Sequence, residues 1–345
     1  MNPLVLSLLI LSLGLGTTLT FASSHWLLAW MGLEINTLAI IPLMAQHQHP
    51  RAIEATTKYF LTQATAAALI LFASMTNAWI TGQWEIQQMT QMIPTTMLTL
   101  ALMLKLGLAP AHFWLPEVLQ GLDLTTGLIL STWQKLAPLS LLLQIPNLNS
   151  NLLIIIGLTS TMVGGWGGLN QTQLRKIMAY SSIAHLGWMI LIVSFNPKLT
   201  TVALAMYIIM TTSMFLTLKI NNSLDVNTLA TSWAKTPVLT ALTPLMLLSL
   251  GGLPPLSGFM PKWLILQELT KQELPLTATI AALSALLSLY FYLRLSYAMT
   301  LTMSPNTTVN TTLWRLKSNQ SSAPLSVSIA LATLLLPLTP ALLIL

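Results

Sequence analysis

Long apolar stretches alternate with short connections that carry the polar, Gly and Pro residues. A helix crossing a bilayer core takes about 20 apolar residues. By that measure the sequence predicts eleven spans, at about residues 3–21, 25–44, 56–80, 95–120, 123–145, 149–168, 173–195, 199–219, 237–270, 276–298 and 323–345. The fold class expected is therefore all-α, a single multi-pass membrane domain. Spans four and nine are too long for one straight crossing, and both carry Gly/Pro breaks. The first reads Gly107-Leu108-Ala109-Pro110-Ala111-His112-Phe113 and the second Gly252-Leu253-Pro254-Pro255-Leu256-Ser257-Gly258-Phe259. Proline removes a helical hydrogen bond and clashes with the preceding turn, so each span is expected as a broken helix. The two segments share G-L-x-P followed shortly by Phe and are the fourth members of two successive five-span units. Residues 1–145 would form the first unit, 149–298 the second and 323–345 a C-terminal helix. Five is odd, so the units would lie inverted in the membrane, and matched broken helices in inverted repeats point to an ion site near the midplane.

Composition sharpens this picture. Of 345 residues 54% are hydrophobic and 6% charged, whereas soluble domains carry about 25% charged residues; a soluble enzyme is excluded. With the N-terminus on side A, Arg51, Lys58, Arg175, Lys176, Lys219, Lys235, Arg294, Arg315 and Lys317 fall on side A, and Lys198 and Lys271 on side B. This imbalance makes side A the matrix or cytoplasmic face, with the C-terminus opposite. The net charge of +6 comes with no basic run beyond Arg175–Lys176, so orienting loop lysines explain it and nucleic acid is not an expected partner. Five Asn-x-Ser/Thr sequons, at Asn170, Asn221, Asn306, Asn310 and Asn319, all fall in side-A loops and read as ordinary polar positions. The N-terminal stretch is apolar without a basic leader or a presequence pattern, as expected of a retained first span in a protein made inside an organelle or a bacterium. Residues Gly82–Pro94 fit either a helix lying flat at the interface or a plain loop, and Ser304–Ser322 fits a polar loop. The absence of cysteine removes thiolate chemistry and Cys-ligated clusters from this chain. No phosphate-binding, dinucleotide or nucleophile-elbow motif is present, so redox chemistry in any assembly belongs to other chains.

Four charges sit away from the span ends, where hydrocarbon should be: Glu34, Lys105, Lys135 and Lys262. At roughly 2.5–3.5 kcal/mol each at a helix centre, together they cost on the order of 10 kcal/mol. Lysine suits proton handling because desolvation lowers its affinity for a proton and an approaching carboxylate restores it. A series of such groups joined by water would make half-channels and a switch. Frozen buried pairs are the alternative. His112, after the first break, and His185, behind Ser181 and Ser182, fit either a relay or a hydrogen-bonded structural role. His47 and His49 form an HxH with no carboxylate or cysteine nearby in sequence, so no metal site is expected.

Three stretches carry a resemblance: Lys105-Leu-Gly-Leu-Ala-Pro-Ala-His-Phe-Trp-Leu-Pro-Glu117, Arg175-Lys-Ile-Met-Ala-Tyr-Ser-Ser-Ile-Ala-His-Leu-Gly187 and Gly251-Gly-Leu-Pro-Pro-Leu-Ser-Gly-Phe-Met-Pro-Lys262. They resemble the antiporter-like subunits of respiratory complex I, over nearly the whole chain. The resemblance implies a fourteen-span family fold with two inverted five-span units, here shortened by three N-terminal spans. It implies a mitochondrial inner-membrane site, neighbouring antiporter-like and small membrane-arm subunits and lipids as partners, and proton translocation driven by distant quinone reduction. NADH, flavin, iron–sulfur clusters and ubiquinone would belong to other subunits, with no cofactor and no redox centre in this chain. By motif, Glu34 matches the family's glutamate, Lys105 the lysine of the first broken helix, Lys135 the central lysine and Lys262 the terminal lysine of the second. Some members carry a glutamate at that last position. Two further functions fit the sequence: a free-standing cation/proton antiporter, and a purely structural membrane-arm linker. In the leading reading Glu34 and Lys105 lie close enough for their coupling to set the proton affinity of Lys105.

Overall fold

In the computed structural model, residues 2–46, 49–234, 236–301 and 323–338 are described. Helices begin where the sequence supplies caps. Asn2 precedes Pro3, His49 precedes Pro50 and Asn196 precedes Pro197; each capping side chain accepts a backbone N–H, and proline's missing N–H costs nothing in a first turn. The resulting helices are α1 (Pro3–Ala22), α2 (Trp26–Met44), α3 (Pro50–Thr81), α4 (Met92–Leu106), α5 (Trp114–Gly121), α6 (Leu124–Gln144), α7 (Ser150–Gly168), α8 (Leu174–Val193), α9 (Pro197–Asn221), α10 (Val226–Ala230), α11 (Pro237–Gly251), α12 (Phe259–Lys271), α13 (Pro275–Thr300) and α14 (Ala323–Leu334). Regular structure among the described residues is helical, apart from two isolated bridges. Seven helices, α1, α2, α3, α7, α8, α9 and α13, are long and apolar enough to cross a membrane alone. The expected fourth and ninth spans are each divided between two shorter helices, α4 with α5 and α11 with α12.

The chain forms two compact units, Met1–Ser160 and Thr161–Leu345. In the first, α2 packs against α1, α3 and α6, α4 packs against α3 and α6, and α5 lies on α3. Gly16 and Gly32 let α1 and α2 approach closely: a Cβ added at Gly16 would stand 2.9 Å from the Gly32 carbonyl. In the second, α8 packs against α9, α12 and α13, while α11 packs against α9, α13 and α14. Over the most apolar 18-residue stretch of each helix, 89% of residues are buried in α8 and 22% in α1, so α8 is the more enclosed helix.

Each unit closes one end with the same loop pairing. His25, between α1 and α2, bridges Glu85, with Trp26 N–H donating to Trp84 O at 3.0 Å and Ile86 N–H to Ser24 O at 2.9 Å. Gln173, between α7 and α8, bridges Asp225, with Leu174 N–H donating to Leu224 O at 2.9 Å and Val226 N–H to Thr172 O at 3.1 Å. This pairing settles the Gly82–Pro94 segment. It is a folded-back loop with a short 3-10 turn at Ile86–Gln88, its Ile86 and Met89 buried and its Trp84 stacked on His25, in place of a flat interfacial helix.

Three elements differ from expectation. Helix α14 ends at Leu334, inside the span expected over 323–345, and a 3-10 turn at Leu336–Leu338 follows, because Pro337 cannot continue the helix. Helix α3 begins at Pro50 and not near residue 56, because the His49 cap and Pro50 start it ahead of the apolar stretch. Helix α10 occupies a connection read as loop, built by a capping box between Asp225 and Thr228. His47, Lys235, the expected loop at 304–322 with its sequons Asn306, Asn310 and Asn319, the basic residues Arg315 and Lys317, and residues 339–345 of the last expected span lie outside the described residues.

Candidate functional site: buried lysines at two interrupted helices

Helix α4 stops because Gly107 takes a left-handed conformation (φ 77°), which a glycine adopts without Cβ strain. Its N–H returns to Met103 O (2.9 Å) and Leu104 O (3.1 Å), and that of Leu108 to Met103 O (3.1 Å). The indole N–H of Trp114, from α5, donates to Leu104 O at 3.2 Å. The last carbonyl of the half-helix, Leu106 O, accepts from the ammonium of Lys135 on α6. A helix C-terminus leaves carbonyls unpaired and carries partial negative charge, so a cation is favoured there. Lys135 is buried and its Nζ also stands 5.6 Å from the centroid of Trp114.

Lys105, the residue before Leu106 on α4, is 5% exposed, and its Nζ has no hydrogen-bond partner. Glu34 on α2 is half-buried, and its Oε2 accepts from Thr37 Oγ1 at 3.0 Å. Its carboxylate acts electrostatically on Lys105 and on Tyr59 of α3, without a contact ion pair to either. Between these helices lies a cavity lined among others by Asn36, Tyr59, Gln63, Lys105, Gln134 and Lys135, with about 10 Å³ open to a water centre. That is room for about one water molecule. His112 does not line it; this ring sits 3.2 Å from Pro110 O and packs on Phe113 within the interruption.

The second unit repeats the device with other residues. Helix α11 ends at Gly252 (φ 81°), whose N–H reaches Leu248 O (3.1 Å) and Ser249 O (3.0 Å). Its last carbonyl, Gly251 O, accepts from Lys262 Nζ of α12 at 2.7 Å. Residues 107–117 and 252–262 align without a gap, sharing Gly, Leu, Pro and the later Pro116 and Pro261, and they end on Glu117 and Lys262. Glu117 takes no part in the buried site. It pairs at 2.7 Å with Lys58, which also contacts Glu54 at 2.6 Å, all three well exposed. His185 on α8 is buried, feels the charge of Lys262 and lies 5.8 Å, centroid to centroid, from the ring of Tyr207. The Tyr207 hydroxyl is hydrogen-bonded to Ser182. That of Tyr292 lies beside Ser181 without a well-formed hydrogen bond.

Thus Glu34, Lys105 and Lys135 gather around one set of helices in the first unit, and His185 and Lys262 in the second. Asn36, Tyr59, Gln63 and Gln134 around the cavity, and Tyr207 and Tyr292 beside His185, were not singled out from the sequence. The signal available was their polarity inside apolar spans, at i, i+4 spacing for Tyr59 and Gln63.

Interrupted helices with buried lysines on their end carbonyls, in an all-helical chain, define a multi-pass membrane protein of the ion-handling type. Residues 23–288 match the family described as NADH:quinone oxidoreductase/Mrp antiporter, TM, and residues 289–343 the NADH dehydrogenase subunit 2 C-terminus. The NADH-ubiquinone oxidoreductase chain 2 of Salmo salar is 74% identical over 99% of this chain and 98% of its own. Among solved structures, respiratory complex I from Thermus thermophilus with bound aureothin contains a chain of the same fold. The match has a TM-score of 0.85 and 28% identity, over 99% of this chain and 81% of that one. The Mrp complex from Dietzia shares the fold at a TM-score of 0.80 and 17% identity, over 87% of this chain and 61% of that one. The chain belongs to the NADH:quinone oxidoreductase antiporter-like family and, within it, to the chain 2 proteins.

Proposed function

We propose that this chain translocates protons as a membrane-arm subunit of complex I, through Glu34, Lys105, Lys135, His112, His185 and Lys262. As a complex I subunit it works in the mitochondrial inner membrane among the other subunits, as part of a proton-translocating oxidoreductase whose redox steps we assign to other chains. The observation that carries the residue reading is the contrast among the lysines. Lys135 and Lys262 each rest on the terminal carbonyl of an interrupted helix, whereas Lys105 is buried with a free Nζ, facing a carboxylate it does not touch. Carbonyl partners stabilise the ammonium form at Lys135 and Lys262. Lys105 depends for that on Glu34, so a change in the Glu34 side of the site changes its hold on a proton.

The magnitude is sufficient. At an effective dielectric near 20, moving opposite charges between about 4 and about 8 Å changes their attraction by roughly 2 kcal/mol, about thirtyfold in a proton equilibrium. The proton released from Lys105 passes to Lys135, which shares its cavity. His185 and Lys262 form the corresponding station of the second unit, and His112, within the first interruption, is the further relay of the first.

Eleven crossings, two inverted five-helix units and one C-terminal helix complete the reading. Its support is the recurrence in each unit of the interruption, the lysine on its end carbonyl and the loop bridge. The N-terminus faces the matrix and the C-terminus the intermembrane space, on the strength of the basic-residue asymmetry.

Lys105→Met keeps the side chain's bulk and removes the proton. Assembled complex carrying it should oxidise NADH with proton translocation reduced at least severalfold in sealed vesicles. Normal translocation in an intact Lys105→Met complex would rule out the assignment, and failure to assemble would mark the lysine as structural.

A further inference from the structure

We propose that Asn36 and Gln63 are positioning residues that hold one ordered water molecule against the Lys105 side chain. This inference rests on the reading of Lys105 as a proton carrier. Four buried side-chain atoms around that lysine lack a hydrogen-bond partner: Lys105 Nζ itself, Gln63 Nε2, and both Nδ2 and Oδ1 of Asn36. Buried polar groups are rarely left unpaired, so several at one place call for a common partner. All three side chains line the same cavity, and its open space of about 10 Å³ accommodates about one water. Three of the four, all but Asn36 Nδ2, match a water's valence. Its lone pairs accept from Lys105 Nζ–H and Gln63 Nε2–H, and one of its hydrogens is donated to Asn36 Oδ1.

The surrounding helices fix both amides. Asn36 occupies space that a Cβ at Gly16 would need, so the glycine is what lets the amide stand there. The backbone of α2 at the same residue is tied to α6, where Gln134 Nε2 donates to Asn36 O at 3.3 Å. Gln63 comes from α3, one turn after Tyr59, whose ring also lines the cavity. The water therefore spans α2, α3 and α4. For transfer, an N–H bond of the Lys105 ammonium breaks as an O–H bond to the water forms, and another O–H of that water breaks toward the neutral amine of Lys135. One proton moves and the water is regenerated.

The test is a map of the assembled complex at a resolution that shows ordered water. A peak within hydrogen-bond distance of Lys105 Nζ, Gln63 Nε2 and Asn36 Oδ1 is expected. An empty cavity, or amides bonded to one another, overturns the proposal while leaving the Lys105 assignment standing. Gln63→Met then preserves volume and removes the donor. It should lose the peak and slow proton translocation severalfold, the size of one lost hydrogen bond to a neutral water, with Gln63→Asn restoring most of the rate. Retention of the peak with unchanged translocation in Gln63→Met, or equal loss in both variants with the peak retained, also overturns it. If Gln63→Met does not assemble, the map of the unaltered complex decides.

Discussion

Gly252 determines the geometry at Lys262. Its left-handed φ of 81° suits no Cβ, and a Cβ placed there would stand 2.9 Å from Lys262 Cδ. Gly252→Ala thus combines backbone strain of about 1–2 kcal/mol with displacement of the lysine from Gly251 O. We expect a lower thermal-unfolding temperature of the assembled complex together with reduced proton translocation; unchanged values of both would remove the glycine from the account. The sequence made the charged positions conspicuous, because Glu34, Lys105, Lys135 and Lys262 lie away from the ends of apolar spans. It did not reveal which carbonyl each lysine would meet, since Leu106 and Lys135 are brought together only by the packing of α4 on α6. Nor did it mark Asn36 and Gln63. Amides inside a span are common glue between helices, and only the cavity distinguishes these two.

The interruptions were legible among the elements because Gly followed by Pro both frees and blocks the helix. Helix α4 ends at Leu106 and α11 at Gly251, beside the glycines that the pattern singled out. Less legible were the loop bridges His25–Glu85 and Gln173–Asp225, whose partners lie some sixty and fifty residues apart and carry no local signature. The half-helix α5 is fastened to α3 by the Lys58–Glu117 contact, with the two side chains 41% and 52% exposed. Exposed pairs contribute little, because water screens them and two long side chains must be ordered to make them. Glu117→Gln is accordingly expected to leave the thermal-unfolding temperature of the assembled complex nearly unchanged and proton translocation unchanged, as vesicle assays of the variant would read. A severalfold loss of translocation would instead make Glu117 part of the path, at the position corresponding to Lys262.

For the whole molecule, the class followed from composition and span length, and the family from three stretches of motif. The relation of the protonatable groups to water did not, because side-chain packing decides it. The nine-to-two distribution of loop basic residues predicts that a membrane-impermeant label applied from the intermembrane-space side of inner-membrane vesicles modifies Lys198 and Lys271, and spares Lys176 and Lys219. The reverse pattern would invert the topology proposed here. The central claim is that the half-buried carboxylate of Glu34 governs the proton on Lys105 without bonding to it. Proton translocation per NADH oxidised in the assembled Glu34→Gln complex tests it most directly. The account predicts a complex that assembles and binds quinone normally but translocates fewer protons; full translocation from that intact complex would contradict it.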